Sequence, residues 1–243
     1  MIRQIFSLLP VPVRRSVRVQ QRHLADWRQG QYRCLVPPRG PQSDFPVQHT
    51  IELRIAPGPT LAAKLHNMRK AIVLLQRLNV PPGGLLSFWH VVGNPGKRQG
   101  YQPGRNIVNG QLVHDYGGGL CQISSALYEL ALRTGLDVPE RHAHSTNVYT
   151  PETTYTPLGL DATLAYGYKD LRIRNNSKHP LHFLFHLTDT HIQVSLCAPF
   201  PLNEYPLDVV HTDTPAGLVS EVYRTVHGAQ TLVSRDVYRA WKA

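Results

Sequence analysis

The amino-acid sequence predicts an α+β fold, in which a mostly antiparallel sheet packs against two principal helices and a basic amino-terminal arm precedes them. Three observations lead to this fold class. Two segments repeat apolar residues at helical spacing, most other apolar segments alternate with the period of a strand, and eight arginines lie within residues 1–39. The 243 residues suffice to bury a core, and 42% hydrophobic with 17% charged residues is typical of a folded protein.

Two helices are predicted from apolar residues that recur at intervals of three and four. The first begins after Thr60, a suitable N-cap residue, and runs to about Asn79, before a proline and glycine cluster at 81–84. Its apolar stripe consists of Leu61, Leu65, Met68, Ile72, Leu75 and Leu78. The second runs from about Cys121 to Thr134, and Gly135 stands where a C-cap glycine belongs.

Short strands account for most of the remaining sequence. Residues 50–58 begin with an alternating run, and residues 170–199 contain several more. Asn109 and Gly110 stand between two alternating segments, which is a strong hairpin signal. The alternation weakens after Pro206, where we expect one last hairpin.

The chain divides into a basic arm with a proline-rich linker, residues 1–45, and an α+β domain, residues 46–243. Residues 1–39 hold eight arginines and a single acid, Asp26, so the arm supplies +7 of the formal net charge of +10. Such a cluster attracts phosphate groups, and we expect weak contact with an anionic membrane surface. Nucleic acid ranks last among the partners, because no aromatic interleaving or nucleic-acid motif accompanies the arginines.

The sequence favours a cytoplasmic protein, with peripheral contact at the inner membrane face through the arm. The apolar stretch near the start is broken by Pro10 and Pro12 and runs into arginines, unlike a signal peptide. No segment approaches the ~20 apolar residues of a membrane span. Cys34, Cys121 and Cys197 are widely spaced, so we expect free thiols in a reducing compartment.

The stretch DYGGGLCQIS, residues 115–124, carries the strongest chemical signal. Cys121 falls in the first turn of the second predicted helix, where unpaired backbone N–H groups and the helix dipole favour a thiolate. The preceding Gly117, Gly118 and Gly119 let the backbone approach a ligand, and their N–H groups can hold an oxyanion. The structural alternative is that the glycines allow tight packing and that Cys121 is a small core residue.

A histidine pair follows this helix in the segment GLDVPERHAHS. A helix of about 14 residues spans about 21 Å, which an extended chain recovers in about six or seven residues. His142 and His144 therefore return to the level of Cys121, and on a strand both face the same side. A thiol and an imidazole are the minimum set of groups for nucleophilic catalysis by cysteine. Asp161, or as second choice Asp170, would orient the imidazole ring.

Other polar side chains near these residues have both a structural and a functional interpretation. Ser124 and Ser125 can cap the helix or contact a substrate, and Arg141 or Arg105 can bind a carboxylate or a phosphate. A zinc site is the metal alternative, but no compact CxxC or HExxH spacing supports it, so no cofactor is predicted. Its ligands would be Cys121, His142 and His144, with His114 or His90.

Three sequence blocks together resemble the VanW family, named after an accessory protein of vancomycin B-type resistance clusters. They are GGGLCQIS at 117–124, ERHAHS at 140–145 and DAT at 161–163, within a similarity that covers roughly residues 60–197. The resemblance implies a link to the cell envelope or to glycopeptide resistance. Its motif positions include Cys121, Gln122, His142, His144 and Asp161. Before Asp161 the chain reads TPLGLDAT where relatives often read PPGRDAT.

Two functional hypotheses fit these residues. The first is a hydrolase or acyl transferase acting on an amide or ester of a small-molecule or peptide-like envelope precursor. Cys121 would be the nucleophile, His142 or His144 the base, and Asp161 the orienting residue. The groups that bind substrate or oxyanion would be Gly117, Gly118, Gly119, Gln122, Ser124 and Arg141. The second hypothesis is a non-catalytic accessory protein that recognises an envelope precursor or a partner through the same face.

Overall fold

The computed structural model describes residues 10–38, 40, 44–108, 111–147 and 154–240. Four α-helices lie in this part of the chain: α1 (Val11–Arg28), α2 (Leu61–Leu75), α3 (Phe88–Val92) and α4 (Leu120–Arg133). The strands are β1 (Val47–Arg54), β2 (Asn79–Val80), β3 (Leu85–Ser87), β4 (Pro103–Val108), β5 (Gln111–Tyr116), β6 (Asp137–Glu140), β7 (Thr146–Asn147), β8 (Arg172–Arg174), β9 (Leu181–Leu187), β10 (His191–Cys197), β11 (Leu207–Thr214), β12 (Gly217–Val226) and β13 (Ala229–Ala240).

Antiparallel pairing dominates the strands, and the predicted α+β class is confirmed. The central sheet has the order β1, β10, β9, β2, and each neighbouring pair is antiparallel. The strands β3, β8 and β6 form a smaller antiparallel sheet. β4 pairs with β5 as the predicted hairpin, whose turn residues 109–110 lie outside the described residues.

The core lies between the central sheet and the two principal helices. α4 contacts β1 and β10, and α2 contacts α4 and β9. The apolar stripes of both helices meet inward-facing residues of the sheet, as their spacing predicts. Core residues of this layer include Met68, Leu75, Ile123, Leu127, Leu53, Phe183 and Val194. The packing fixes the start of α4 beside α2.

Both principal helices exist, but α2 is shorter than predicted. It ends at Leu75 rather than near Asn79, because Asn79 and Val80 form β2 and pair with β9. Thr60 stands at the N-cap position, although its side chain makes no capping hydrogen bond. α4 ends beside Gly135, whose φ of 72° is the left-handed conformation expected of a C-cap glycine.

The carboxy-terminal region is larger than the single hairpin that the sequence predicts. β11, β12 and β13 are consecutive antiparallel strands, and the end of β13 pairs in parallel with the short β7. Because β7 follows the histidine segment directly, this pairing brings β13 to the region of the predicted site.

The arm contains a helix, α1, that the apolar periodicity does not predict. Ion pairs dock one face of this helix on the domain: Asp26 lies 2.6 Å from Arg172, and Arg22 lies 2.5 Å from Glu140. The Asp26 and Arg172 side chains are each 8% exposed, so this pair is buried. The opposite face of α1 is exposed and carries Val13, Leu24, Trp27 and Arg28.

Candidate active site

Cys121 lies in the first turn of α4, and Leu120 separates it from the three consecutive glycines. The residue is partly exposed in densely packed surroundings, whereas Cys197 is buried. All three cysteines are free thiols, as predicted. The start of α4 thus presents a sulfur atom where the backbone leaves N–H groups without helical partners.

Close packing explains two of the three glycines. A Cβ on Gly119 would lie 2.7 Å from Cγ of Lys64 and 3.0 Å from Cγ of Met68, both on α2. A Cβ on Gly117 would lie 3.0 Å from Cβ of Pro95. Both glycines also have positive φ angles, 91° at Gly117 and 95° at Gly119, which L side chains rarely adopt. The structural interpretation therefore accounts for both positions.

Three backbone N–H groups of this turn have no hydrogen-bond acceptor among the described residues. Those of Gly118, Gly119 and Cys121 make no hydrogen bond with any residue that the structure describes. The carbonyl oxygen of Gly118 accepts from Nδ2 of Asn67 at 3.3 Å, which holds the turn against α2. A positioned turn with unpaired N–H groups can accept an anion or an oxyanion.

His144 is the histidine that reaches the thiol. Its ring forms a hydrogen bond with Cys121, and the same sulfur is contacted by the Thr163 side chain and the Leu164 backbone. His144 is only 6% exposed. Its surroundings therefore restrict the ring to one orientation.

Asp161 holds the His144 ring from the other side. Its Oδ2 accepts hydrogen bonds from the His144 backbone N–H at 2.7 Å and from ring Nδ1 at 2.5 Å. Because Nδ1 is engaged, Nε2 is the nitrogen available to the thiol. The other carboxylate oxygen, Oδ1, accepts from the Tyr238 hydroxyl and from Nη2 of Arg141 at 3.1 Å. Cys121, His144 and Asp161 thus form one hydrogen-bonded chain.

The electrostatics of this chain favour a thiolate and an imidazolium. Burial raises the pKa of the Cys121 thiol, but the hydrogen bond and charge of His144 outweigh burial and lower the pKa below its usual value. Burial lowers the pKa of His144, yet hydrogen bonds to Asp161 and Cys121 raise it to about 9. Burial likewise raises the pKa of Asp161, and His144 with Arg141 brings it well below its usual range.

His142 faces away from the thiol. Its Nε2 lies 3.1 Å from Oε1 of Glu140, and its side chain is 37% exposed. The expectation that both histidines share one side assumes a strand, but β6 ends at Glu140. The Thr163 N–H donates to the His142 carbonyl oxygen at 2.7 Å, and the His144 N–H donates to Asp161. These bonds turn the irregular segment so that the two rings diverge.

Three other predicted polar residues are used in the framework around the thiol. Gln122 is buried, and its Nε2 donates to the carbonyl oxygen of Arg54 at 3.1 Å. Ser124 Oγ donates to the carbonyl oxygen of Ala162 at 2.6 Å. Ser125 Oγ accepts from the N–H of Ala162 at 2.9 Å. The two serines therefore tie α4 to the DAT segment, which carries Asp161.

The predicted arginine and the second-choice aspartate have other partners. Arg141 is paired with Asp161 and Asp236, and its side chain is 8% exposed. From this buried position Arg141 restrains the Asp161 carboxylate, which in turn orients His144. Asp170 lies in a different cluster, where it accepts from Ser87 Oγ at 2.6 Å. The side chain of Arg105 lies outside the described part of the structure.

Sequence reasoning missed several contributors to the site. Lys64 of α2 interacts electrostatically with Cys121. Thr163 contacts the sulfur, and Tyr238 of β13 donates to Asp161. Thr163 belongs to the DAT block, so the motif marks its neighbourhood. Lys64 and Tyr238 have no local signal, because only long-range packing brings them to the site.

The zinc ligand set considered as an alternative does not come together among the described side chains. Among the described residues, no group of three or more histidine, cysteine, aspartate or glutamate side chains is arranged to hold a metal ion. No helix in the described ranges has both the length and the apolar character that crossing a bilayer requires.

The fold and the site define an α+β protein that joins a cysteine, a histidine and an aspartate at the start of a core helix. The family model described as "VanW like protein" matches residues 63–197, more than half of the 243 residues. The chain belongs to this family, as the three sequence blocks predict.

Two curated relatives are similar to this chain. The "Vancomycin B-type resistance protein VanW" of Enterococcus faecalis is 33% identical over 114 residues, which cover 47% of this chain and 42% of the relative. The "Uncharacterized protein YoaR" of Bacillus subtilis is 34% identical over 119 residues, which cover 49% of this chain and 38% of the relative. The matched region thus spans less than half of either relative. No solved structure gives a significant match.

Proposed function

We propose that the protein is a cysteine-dependent acyl-transfer enzyme, a hydrolase or an acyl transferase, that acts on an amide or ester of a cell-envelope precursor. One observation carries the proposal: the thiol of Cys121, a residue of intermediate exposure, is hydrogen bonded to a buried imidazole that a carboxylate orients. These are the three roles that nucleophilic catalysis by cysteine requires.

The proposed reaction begins with attack of the Cys121 thiolate on the carbonyl carbon of the substrate. A C–S bond forms, the carbonyl oxygen becomes an oxyanion, and the C–N or C–O bond then breaks. The His144 imidazolium donates its proton to the leaving group, which yields a thioester and a neutral imidazole. Water or an acceptor amine then attacks the thioester while His144 takes up a proton, and the thiolate is released.

The glycine turn would hold the oxyanion. The N–H groups of Gly118, Gly119 and Cys121 are unused by the described residues and belong to the same turn as the sulfur. Backbone donors near a nucleophile can stabilise the charge that develops in the transition state. Gln122 is not proposed as an oxyanion donor, because its side-chain amide donates to the carbonyl oxygen of Arg54 on β1.

The substrate class is proposed from the sequence similarity between this chain and one of its relatives. The name of the Enterococcus faecalis relative ties that protein to vancomycin resistance. Vancomycin resistance concerns the cell envelope, so we propose an envelope precursor with an amide or ester bond as the substrate.

Alkylation of Cys121 by iodoacetamide as a function of pH tests the proposal. A thiolate paired with His144 is expected to react with a midpoint below pH 8 and faster than Cys34 or Cys197. His144→Gln should raise the midpoint and slow the reaction near neutral pH. The matched variant His142→Gln should leave the profile unchanged, because that ring faces Glu140.

A second experiment tests acyl transfer itself with an activated ester, p-nitrophenyl acetate. We expect a burst of nitrophenolate and an acetyl group on Cys121, located by mass spectrometry and absent in Cys121→Ala. Equal, slow alkylation of all three cysteines together with no acetylation would contradict the proposal. That result would favour a non-catalytic accessory protein that binds an envelope precursor.

For α1 the proposal is a weak contact with an anionic membrane surface. Its undocked face carries Val13 at 44%, Leu24 at 47% and Trp27 at 70% exposure. Arg28 lies on this face and is exposed, and no ion pair of Arg14 or Arg28 is found among the described residues. Exposed apolar side chains flanked by unpaired arginines complement the interface of an anionic bilayer.

A further inference from the structure

Lys64 faces the glycine turn from α2. Its Cγ packs where Gly119 lacks a side chain, since a Cβ there would lie 2.7 Å away. Asn67, three residues further along the same helix face, donates to the Gly118 carbonyl oxygen. These contacts fix the lysine stem against the turn that precedes Cys121. The charge of the ammonium group acts on that same cysteine.

Within the described residues the Lys64 ammonium has no carboxylate partner, and the anion that acts on it is the Cys121 thiolate. Among the described residues, neither an ion pair nor a side-chain hydrogen bond of Lys64 is found. Arg141, the buried cation of the site, is instead paired with two carboxylates. Burial without a compensating carboxylate lowers the pKa of Lys64 to about 8. Cys121 is the one anion found to act on this partly desolvated cation among the described residues, so Lys64 can also bind a carboxylate of a ligand beside the nucleophile.

We propose that Lys64 binds a carboxylate of the substrate beside the carbonyl group that Cys121 attacks. The inference rests on the proposed acyl transfer and narrows its substrates to acyl compounds with a free carboxylate close to the scissile bond. Lys64 and Cys121 are both partly exposed, so one ligand can contact both side chains.

Charge balance supports this assignment. With Lys64 protonated, the three cations Lys64, His144 and Arg141 balance the Cys121 thiolate and the carboxylates of Asp161 and Asp236, so the site is neutral before a ligand binds. Without the Lys64 charge, the empty site would carry one net negative charge, and binding of a carboxylate beside the thiolate would be disfavoured.

Iodoacetate and iodoacetamide test the inference directly, because they differ in the carboxylate beside the reacting carbon. The quantity measured is the ratio of their rate constants toward Cys121, in which the thiolate fraction cancels. Lys64→Met keeps the stem that packs on Gly119 and removes the charge. This variant should lower the iodoacetate-to-iodoacetamide ratio about tenfold.

Two further variants separate local charge from helix packing. Lys64→Arg keeps a cation and should stay within about threefold of the unaltered protein. Lys70→Met removes the other lysine of α2, whose Nζ lies 5.8 Å from the Tyr101 ring, and should leave the ratio unchanged. An unchanged ratio in Lys64→Met with a reactive Cys121 would overturn the carboxylate site and leave the acyl-transfer proposal intact.

A non-reactive Cys121 would instead contradict the acyl-transfer proposal, and Lys64 would then be tested alone. In Cys121→Ala, the NMR signal of ¹³C-dimethylated Lys64 is titrated with N-acetylglycine and with its neutral analogue N-acetylglycinamide. A shift caused by the acid alone supports carboxylate binding. The same response to both compounds, or to neither, overturns it.

Discussion

Asp161 binds His144 twice through one oxygen: its Oδ2 accepts from the backbone N–H at 2.7 Å and from ring Nδ1 at 2.5 Å. The backbone bond fixes the position of the residue, and the ring bond fixes its rotation. Tyr238 and Arg141 occupy the other oxygen, so the carboxylate itself is restrained. The orientation of the imidazole toward Cys121 therefore depends on a single side chain.

Replacing Asp161 by Asn is expected to slow alkylation of Cys121. The neutral amide removes the charge that raises the pKa of His144, so less imidazolium stabilises the thiolate and the pKa of Cys121 rises. Iodoacetamide should then react about tenfold more slowly at pH 7, with its midpoint shifted to higher pH. Asp137→Asn, at an exposed position on β6, is the matched control. An unchanged pH profile in Asp161→Asn would contradict the role of the carboxylate.

The sequence predicts this chain of three residues better than it predicts their surroundings. Helical spacing sets the length of α4, and that length sets where the following segment returns, which locates His144 near Cys121. The same argument fails for His142, because a two-residue period holds only while the chain remains a strand. Hydrogen bonds from Thr163 and to Asp161 decide the local path, and neither is visible in periodicity.

Other parts of the fold depend on long-range contacts that local patterns do not encode. The helix α1 is mostly exposed, so its apolar residues do not form a stripe that predicts burial. Its docking depends on Asp26 meeting Arg172, which is 146 positions later. Lys64 and Tyr238 reach the site in the same way, from elements distant in sequence. Motif spacing predicted the three residues at the centre, and tertiary packing supplied the residues around them.

Replacing Gly119 by Ala is expected to destabilise the protein. The φ of 95° at this position is strained for alanine, and the added methyl carbon would lie 2.7 Å from Cγ of Lys64. The expected loss is about 1–3 kcal/mol in the free energy of unfolding, measured by urea denaturation. Gly58→Ala is the control, since its Cβ would meet nothing within 4 Å. A loss of equal size in both variants would show that packing at the turn is not the cause.

Acid is expected to remove the contribution of Glu140 to stability. Burial raises the pKa of Glu140, but hydrogen bonds to His142 and Arg22 lower it to about 2, from 4.5 in its ordinary state. A depressed folded-state pKa stabilises the protein above the ordinary pKa, and the effect is lost as pH falls through the folded-state value. The difference in unfolding free energy between the unaltered protein and Glu140→Gln should therefore shrink between pH 4.5 and 2. A difference that is constant over this range would contradict the assignment.

The exposed face of α1 gives the membrane proposal a specific form. Ion pairs hold Arg22 and Asp26 against the domain, so these residues cannot face a bilayer while the helix stays docked. Leu24 and Trp27 point away from the domain and Arg28 follows Trp27 on the exposed side, while Arg14 is partly exposed and follows the exposed Val13. The contact should then need both apolar insertion and positive charge, and the two contributions can be removed separately.

Sedimentation with vesicles of phosphatidylcholine, with or without phosphatidylglycerol, measures this contact. The protein should bind only the anionic vesicles, and less at higher salt. Each arginine near such a surface contributes about 1 kcal/mol, so Arg14→Gln with Arg28→Gln should weaken binding at least about tenfold. Leu24→Ser with Trp27→Ser should weaken it as well, whereas Val73→Ser, at an exposed position on α2, should not. Equal sedimentation with neutral and anionic vesicles would refute the contact, because the arginines would then contribute nothing to it.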